Sequence, residues 1–268
     1  MLWFVKVAWK LVARLWLVAL SVVAGMGVAF LLQLRGLQRS WGVVVPDTTR
    51  PLAGDELVEA PGIIETRSLI VDAPPATVWP WLVQMGYGRG GWYSYDQLDM
   101  RGSSAQRILP EHQSLTEGDV VPTHPGGGFV ARIVDPERAL VLYLDHDIVR
   151  AQTEASVAAK GGDALEGIDA DMPGGLHVAG ALGEMTMPEF RATWAFILED
   201  EAGGKTRLVE RFRVWTAEGG LPQRLGLPVM GLGVFAMTRK HMLGVKERAE
   251  ATSANGTMPP PEPELAGV

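Results

Sequence analysis

The stretch VDAPPATVWPWLVQM, residues 71–85, predicts a strand that turns directly into a helix. Residues 64–71 contain many apolar and β-branched side chains, which favour a strand. Asp72 is able to cap the helix that follows, and proline is favoured in the first turn of a helix. Helical spacing places four apolar side chains on one face: Val78, Trp79, Leu82 and Met85. We therefore expect a strand followed by an amphipathic helix over residues 76–85.

The chain beyond Gly118 changes to the pattern of short strands separated by turns. The expected strands are residues 119–122, 129–135, 139–145, 190–199 and 206–216, the last two joined by a Gly203-Gly204 turn. A short helix is expected at residues 92–98 and a long one at residues 227–251. The long helix has an apolar stripe: Met230, Val234, Met237, His241 and Val245. These elements predict an α+β domain with an antiparallel sheet.

The order of these elements resembles the START/SRPBCC superfamily, the helix-grip fold that includes polyketide cyclase/dehydrase-like and lipid-transport proteins. The likeness spans about residues 63–250 and is carried mainly by the strand-to-helix entry at residues 71–79. Shorter matches are Met85-Gly86, Trp92-Tyr93-Ser94-Tyr95, Gly118-Asp119, Trp194-Ala195-Phe196, and Thr206-Arg207-Leu208 leading into Arg211 and Arg213. The resemblance implies a curved antiparallel sheet wrapped on a long C-terminal helix. A Gly-, Ala- and Asp-rich insertion at residues 146–188, with a helix expected near 148–159, departs from the compact family pattern.

Residues 15–34 contain no charged side chain and are long enough to cross a bilayer as one helix. We therefore expect a single-pass membrane protein; a cleaved signal peptide is the alternative, although no A-x-A-like site follows the stretch. Three Lys or Arg residues precede the span and three follow it closely, so the α-amino group gives the N-terminal side a small excess of positive charge. The N-terminus is expected inside and the following domain on the non-cytoplasmic side.

The charge is distributed unevenly along the chain. Residues 1–50 contain six basic side chains and one acidic side chain, whereas the remainder contains 18 basic and 30 acidic ones. An acidic domain repels a phosphate backbone, so no nucleic-acid partner is expected. The basic residues that flank the span suit anionic lipid headgroups. The chain has no cysteine, which excludes disulfides and thiolate sites.

Composition divides the chain into four parts. Residues 1–34 are the expected membrane anchor, and residues 35–62 are an expected tether, since glycines and prolines punctuate them. Residues 63–251 are the expected domain, including the insertion at 146–188. Residues 252–268 have the composition of a disordered tail.

Glu210 and His241 are the candidate catalytic pair. Glu210 falls on the apolar face of a predicted strand, and His241 falls on the apolar stripe of the helix expected to pack over it. Facing each other in a cavity, they would act as acid and base on a carbonyl group. The alternative is a satisfied buried contact, or a bond from Glu210 to Arg211 or Arg213 at a sheet edge.

Other chemistry finds little support in the sequence. Glycines 86, 88 and 91 fit G-x-G-x-x-G, but the loop follows a helix instead of a strand, so no dinucleotide site is expected. The five histidines (112, 124, 146, 177 and 241) lack metal-binding spacing, and the Gly-x-Ser-x-Gly motif is absent. We therefore expect neither a metal nor a cofactor.

An apolar cavity is expected between the sheet and the C-terminal helix, because a strongly curved sheet closing on one helix is hard to fill. The sequence then favours a membrane-anchored domain that binds a hydrophobic small molecule, a lipid or a polyketide-like compound. The expected lining residues are Trp81, Trp92, Tyr95, Trp194, Phe196, Phe212, Met237 and His241. Two alternatives remain: a cyclase or dehydrase using Glu210 and His241, and a protein-interaction module without a cavity.

Overall fold

The computed structural model describes residues 16, 21, 34–43, 45–99, 102–159, 189–217 and 221–256. The strands within these ranges are β1 (Ile63–Val71), β2 (Val120–His124), β3 (Gly127–Asp135), β4 (Ala139–Asp145), β5 (Phe190–Glu201) and β6 (Lys205–Thr216). The α-helices are α1 (Pro75–Val83), α2 (Asp96–Asp99), α3 (His146–Ala159) and α4 (Leu221–Ala254), and 3-10 turns occur at Val45–Thr48, Asp55–Leu57 and Pro110–His112.

The strands form one antiparallel sheet in the order β1-β6-β5-β4-β3-β2. The expected α+β fold, with an antiparallel sheet and a long C-terminal helix, is thereby confirmed. In the hairpin between β5 and β6, Gly203 and Gly204 adopt φ values of 83° and 70°. Glycine reaches this left-handed region without a steric penalty, which explains why the turn falls where the sequence predicts it.

The register determines which side chains share a face of the sheet. Phe196 pairs with Glu210, and Glu210 pairs with Arg67. Residues directly opposite each other in antiparallel strands lie on the same face, so these three belong to one face. We call it the inner face, because the buried core lies against it. That core includes Phe196 and Leu208 of the sheet, Trp81 and Leu82 of α1, and Met242, Val245 and Ala249 of α4.

The start of α1 differs from the sequence prediction. Pro74 occupies the N-cap position in place of Asp72, and the carboxylate of Asp72 instead pairs with Lys205 at 2.6 Å. The helix ends at Val83, before the predicted Met85. The Met85 N–H bonds to the Leu82 carbonyl at 3.3 Å, and Gly86 has a φ of 125°, which helical residues do not adopt. The helix predicted at residues 92–98 is also wrong in extent. Tyr93 has a φ of 53°, which helical residues do not adopt, and helix α2 begins at Asp96.

Residues 45–58 lie on the outer face of the sheet, opposite the core. The guanidinium of Arg211 is buried there and donates to Asp55 at 2.7 Å and to the Arg50 carbonyl at 2.8 Å. Arg213 donates to the Val58 carbonyl at 3.0 Å, and Val58 is fully buried. Much of the segment predicted as a tether is therefore fixed to the sheet by ion pairs and apolar contacts.

Two further predicted segments fall partly outside the described residues. The helix expected near residues 148–159 is present as α3, which follows β4 directly, while residues 160–188 lie outside the described ranges. Of the span predicted at residues 15–34, the structure describes Trp16, Ser21 and Leu34. Within the part of the chain that the structure describes, no helix meets the length and hydropathy needed to cross a membrane.

Gly244 is where α4 meets the loop after α1. A Cβ atom at Gly244 would lie 2.2 Å from the Tyr93 carbonyl oxygen, whereas a Cβ at Gly233 of the same helix would meet nothing within 4 Å. Gly244→Ala is therefore expected to lower the free energy of unfolding by about 1–3 kcal/mol. Gly233→Ala, the matched control, is expected to raise it by up to about 1 kcal/mol, since alanine favours helix. Urea unfolding measures both; equal effects of the two substitutions would contradict the tight contact at Gly244.

Candidate functional site

A cluster of aromatic rings surrounds His241 between the inner face and α4. The His241 ring centroid lies 5.4 Å from Phe196, 5.8 Å from Trp194 and 6.3 Å from Trp92. Trp92 and Trp194 stack on each other with centroids 5.4 Å apart, and Tyr93 stacks on His241 at 6.1 Å. We call these five residues the aromatic cluster. The rings contact one another, so the side chains themselves fill the space between sheet and helix at this point.

Local structure explains how these rings come together. Trp194 and Phe196 are two residues apart on β5, so both project from the inner face. Trp92 and Tyr93 follow a tight turn in which Gly86 and Gly91 exchange two backbone hydrogen bonds of 3.1 and 3.2 Å. Gly86 and Gly91 have φ values of 125° and 88°, which only glycine adopts readily. The glycine loop that fits G-x-G-x-x-G thus serves to aim Trp92 into the core.

His241 is buried with one satisfied nitrogen. Its Nδ1 lies 2.6 Å from the Trp92 carbonyl oxygen, and a carbonyl only accepts, so Nδ1 carries the proton and donates. Nε2 is then an acceptor, and it has no hydrogen-bond partner among the described residues. Burial, with a contribution from the nearby Arg248 cation, lowers the pKa of His241 to about 4. The imidazole is therefore neutral at physiological pH.

Glu210 lies in a buried charge network on the same face. Its carboxylate accepts hydrogen bonds from Arg67 Nη1 at 2.8 and 3.2 Å and from the Trp194 indole at 2.8 Å. Arg67 also pairs with Glu65 and donates from Nε to the Gln38 carbonyl at 3.0 Å. Burial raises the pKa of Glu210, while the Arg67 guanidinium and the Trp194 N–H oppose that rise. Through the hydrogen bond to Glu210, this network fixes the position of the Trp194 ring.

Glu210 and His241 do not form the direct pair that the sequence suggested. Within the described residues, their hydrogen bonds go to different groups, and the Trp194 ring contacts both side chains. The suggested bond from Glu210 to Arg211 or Arg213 is also wrong. Those two arginines are on the outer face, where both pair with Asp55.

The structure places the eight expected lining residues in different surroundings. Trp92, Trp194, Phe196 and His241 are in the aromatic cluster. Trp81 is buried beside it and meets Tyr93 edge-on, with the ring centroids 5.8 Å apart. Phe212 is half-buried opposite Trp194 on the inner face. Two of the eight are at the surface: Tyr95 is 45% exposed and Met237 is 36% exposed. Met237 is exposed because the buried stripe of α4 runs through Thr238, Met242 and Val245.

Sequence reasoning missed Arg67, Glu65 and Tyr93. A signal for Arg67 was present in the sequence. Arg67, Leu69 and Val71 are two residues apart on β1 and therefore share its apolar face. A lone arginine on a predicted inner face, together with Glu210 on another, indicates a buried ion pair. Tyr93 is noted in the sequence only within the Trp92-Tyr93-Ser94-Tyr95 match, which gives it no role at the site. No metal-binding group of three His, Cys, Asp or Glu side chains occurs among the residues that the structure describes.

The fold and this site define an α+β domain whose antiparallel sheet packs an aromatic, partly charged inner face on a C-terminal helix. No protein-family model matches the chain, and no curated protein matches its sequence. Solved structures of similar proteins include MLL2253 from Mesorhizobium loti, which is 12% identical with a TM-score of 0.34 over 71% of this chain and 98% of that one. CalU16 from Micromonospora echinospora is 16% identical with a TM-score of 0.26, covering 70% and 83%. An uncharacterised protein from Rhizobium leguminosarum is 15% identical with a TM-score of 0.28, covering 70% and 97%.

Proposed function

We propose that residues 63–251 form a START/SRPBCC-like domain that binds a hydrophobic small molecule, a lipid or polyketide-like compound, between the sheet and α4. One observation carries the proposal: an aromatic cluster encloses the His241 Nε2 acceptor, which has no partner among the described residues. Apolar sites for small molecules typically combine aromatic walls with a few placed polar groups. Burial of apolar area, at about 25 cal/mol per Å², would supply most of the affinity.

Ligand entry requires that at least one ring of the aromatic cluster moves, because the rings occupy the interior. Trp92 is the best placed to move. Its neighbours along the chain form the glycine turn at residues 86–91, whereas Trp194 is held by its hydrogen bond to Glu210. The bound state would then place the ligand where the Trp92 indole lies in the present structure.

We further propose that residues 15–34 anchor the chain in a membrane, with the domain on the non-cytoplasmic side. Residues 34–40 are helical and lie beside α4, since Gln38 approaches Gly231 and Trp41 carries the Arg239 guanidinium over its ring at 5.1 Å. Residues 225–237 of α4 contain no charge. An anchor that ended at Leu34 would therefore hold this uncharged stretch of α4, and the aromatic cluster beside it, near the bilayer.

The alternative of a cyclase or dehydrase using Glu210 and His241 has less support. The Glu210 carboxylate is already engaged by Arg67 and Trp194, and a general base needs a lone pair that reaches the substrate. His241 retains a free acceptor, but its lowered pKa leaves it a weak base at neutral pH. Binding is therefore the better interpretation of the same residues.

Naphthalene is a suitable probe for this proposal. The full chain should be used, because residues between 38 and 58 bond to the sheet and Trp41 lies against Arg239 of α4. In phosphatidylcholine nanodiscs, we expect saturable uptake of one molecule per chain above the uptake by empty nanodiscs, measured by equilibrium dialysis. Trp92→Ala should raise the affinity by about tenfold, since removing a buried ring leaves an apolar cavity that takes up apolar molecules.

Trp92→Leu gives a smaller cavity and guards against loss of the fold, which near-UV circular dichroism monitors. Met237→Ala is the matched control: it removes an exposed apolar side chain and should leave naphthalene uptake unchanged. Uptake that rises in proportion to lipid, without saturation in the wild type or in either Trp92 variant, would overturn the proposal. That outcome would favour the interaction module.

A further inference from the structure

The chemistry of His241 restricts what the ligand must carry. Its Nδ1 proton is committed to the Trp92 carbonyl at 2.6 Å, which fixes the tautomer. Nε2 is then able only to accept, and the side chain is 2% exposed. A buried acceptor without a partner costs free energy, so a ligand that donates a hydrogen bond there recovers that cost.

From this geometry, and resting on the proposed function, we infer that the ligand is an apolar molecule bearing a hydroxyl group that donates to His241 Nε2. A carboxylate or an ether presents only lone pairs to this atom and would repel it. An ammonium group would need desolvation of a full charge among aromatic rings. A single hydroxyl on an apolar skeleton fits best, because it supplies the donor and adds few other polar atoms that need partners.

The surroundings of the imidazole support this inference. The rings nearest to it belong to Trp92, Tyr93, Trp194 and Phe196. The indole N–H of Trp194 already donates to Glu210. The Tyr93 hydroxyl donates to the Trp81 carbonyl at 3.0 Å, so it is also committed. The lowered pKa keeps His241 neutral, which preserves the Nε2 lone pair at physiological pH.

The test compares 2-naphthol, which donates, with 2-methoxynaphthalene, which does not, on the full chain in phosphatidylcholine nanodiscs. We expect the wild type to bind 2-naphthol about 3- to 10-fold more tightly, after correction for uptake by empty nanodiscs. His241→Phe should reduce that ratio to about one, as should His241→Leu if phenylalanine fits poorly. Phe196→Leu changes an apolar side chain that lines the site. It should alter the affinities for both compounds and leave their ratio unchanged.

Nitrogen-15 spectra of the histidines supply a second measurement that does not depend on affinity. We expect the neutral His241 ring to carry its proton on Nδ1, and expect 2-naphthol, but not 2-methoxynaphthalene, to shift the Nε2 resonance. Equal affinity for both compounds, with binding intact, would overturn the inference and leave the proposed function standing. A preference that persists in both His241 variants would also overturn it. Failure of naphthalene and both derivatives to bind would overturn the proposed function itself.

Discussion

Arg67→Met is expected to lower the free energy of unfolding by about 3–5 kcal/mol, the largest effect among the substitutions considered. The Arg67 guanidinium is fully buried and bonds to Glu210, Glu65 and the Gln38 carbonyl. Its removal leaves the Glu210 carboxylate buried with the Trp194 N–H as its remaining hydrogen bond among the described residues. Urea unfolding of the full chain in detergent, followed by circular dichroism, measures the change.

Two controls separate the loss of the partner from the loss of volume. The double variant Arg67→Met, Glu210→Leu removes the two fully buried charges and should recover part of the lost stability, because a buried pair contributes little net free energy over apolar residues. Recovery is partial because Glu65, which also pairs with Arg67, loses that partner in both variants. Arg150→Met breaks the pair with Asp147, whose side chains are 63% and 78% exposed, and should leave stability unchanged within error. A double variant less stable than Arg67→Met would contradict the buried-charge explanation.

Acidification is expected to destabilise the protein through His241, by about 3 kcal/mol in total. The folded-state pKa is about 4 against an ordinary value of 6.5. Between these values the unfolded chain binds a proton that the native chain does not, so stability is full above pH 6.5 and falls as the pH drops towards 4. Unfolding measured from pH 7 to pH 4 reports the slope.

His241→Phe should flatten that part of the profile. Burial also lowers the pKa of His112 and His124, so these residues contribute in the same direction and remain in the variant. The difference between the two profiles therefore isolates His241, and His241→Leu repeats the comparison with a smaller side chain. Identical slopes for the wild type and both variants would show that the imidazole is protonated or exposed in the native state.

Much of the fold is predictable from local sequence. The period-2 patterns of β5 and β6 and the glycine pair between them describe a hairpin whose register needs no distant information. Helix ends were less predictable: an aspartate before two prolines suggested a cap, but a lysine more than 130 residues away binds that aspartate instead. The loop after α1 depends likewise on the Ser104 hydroxyl, which accepts a hydrogen bond from the Tyr93 N–H.

The candidate site was predictable in part. Alternation along β5 and spacing along α4 identified Trp194, Phe196 and His241, since burial follows the apolar face. The same reasoning placed Met237 inside, yet the buried stripe of α4 runs through Thr238 and leaves Met237 exposed. The rotation of a helix about its axis depends on what it packs against, and Gly244 against Tyr93 sets that contact here.

The sequence by itself determined the strands, the glycine turn of the hairpin, the long helix and the aromatic character of the inner face, because periodicity and turn chemistry are local properties. Tertiary structure alone decided that Glu210 pairs with Arg67 and that His241 Nδ1 is committed to Trp92 while Nε2 is not. Partners of buried polar groups come from distant parts of the chain, since burial removes water as the default partner, and no local pattern records which group replaces it.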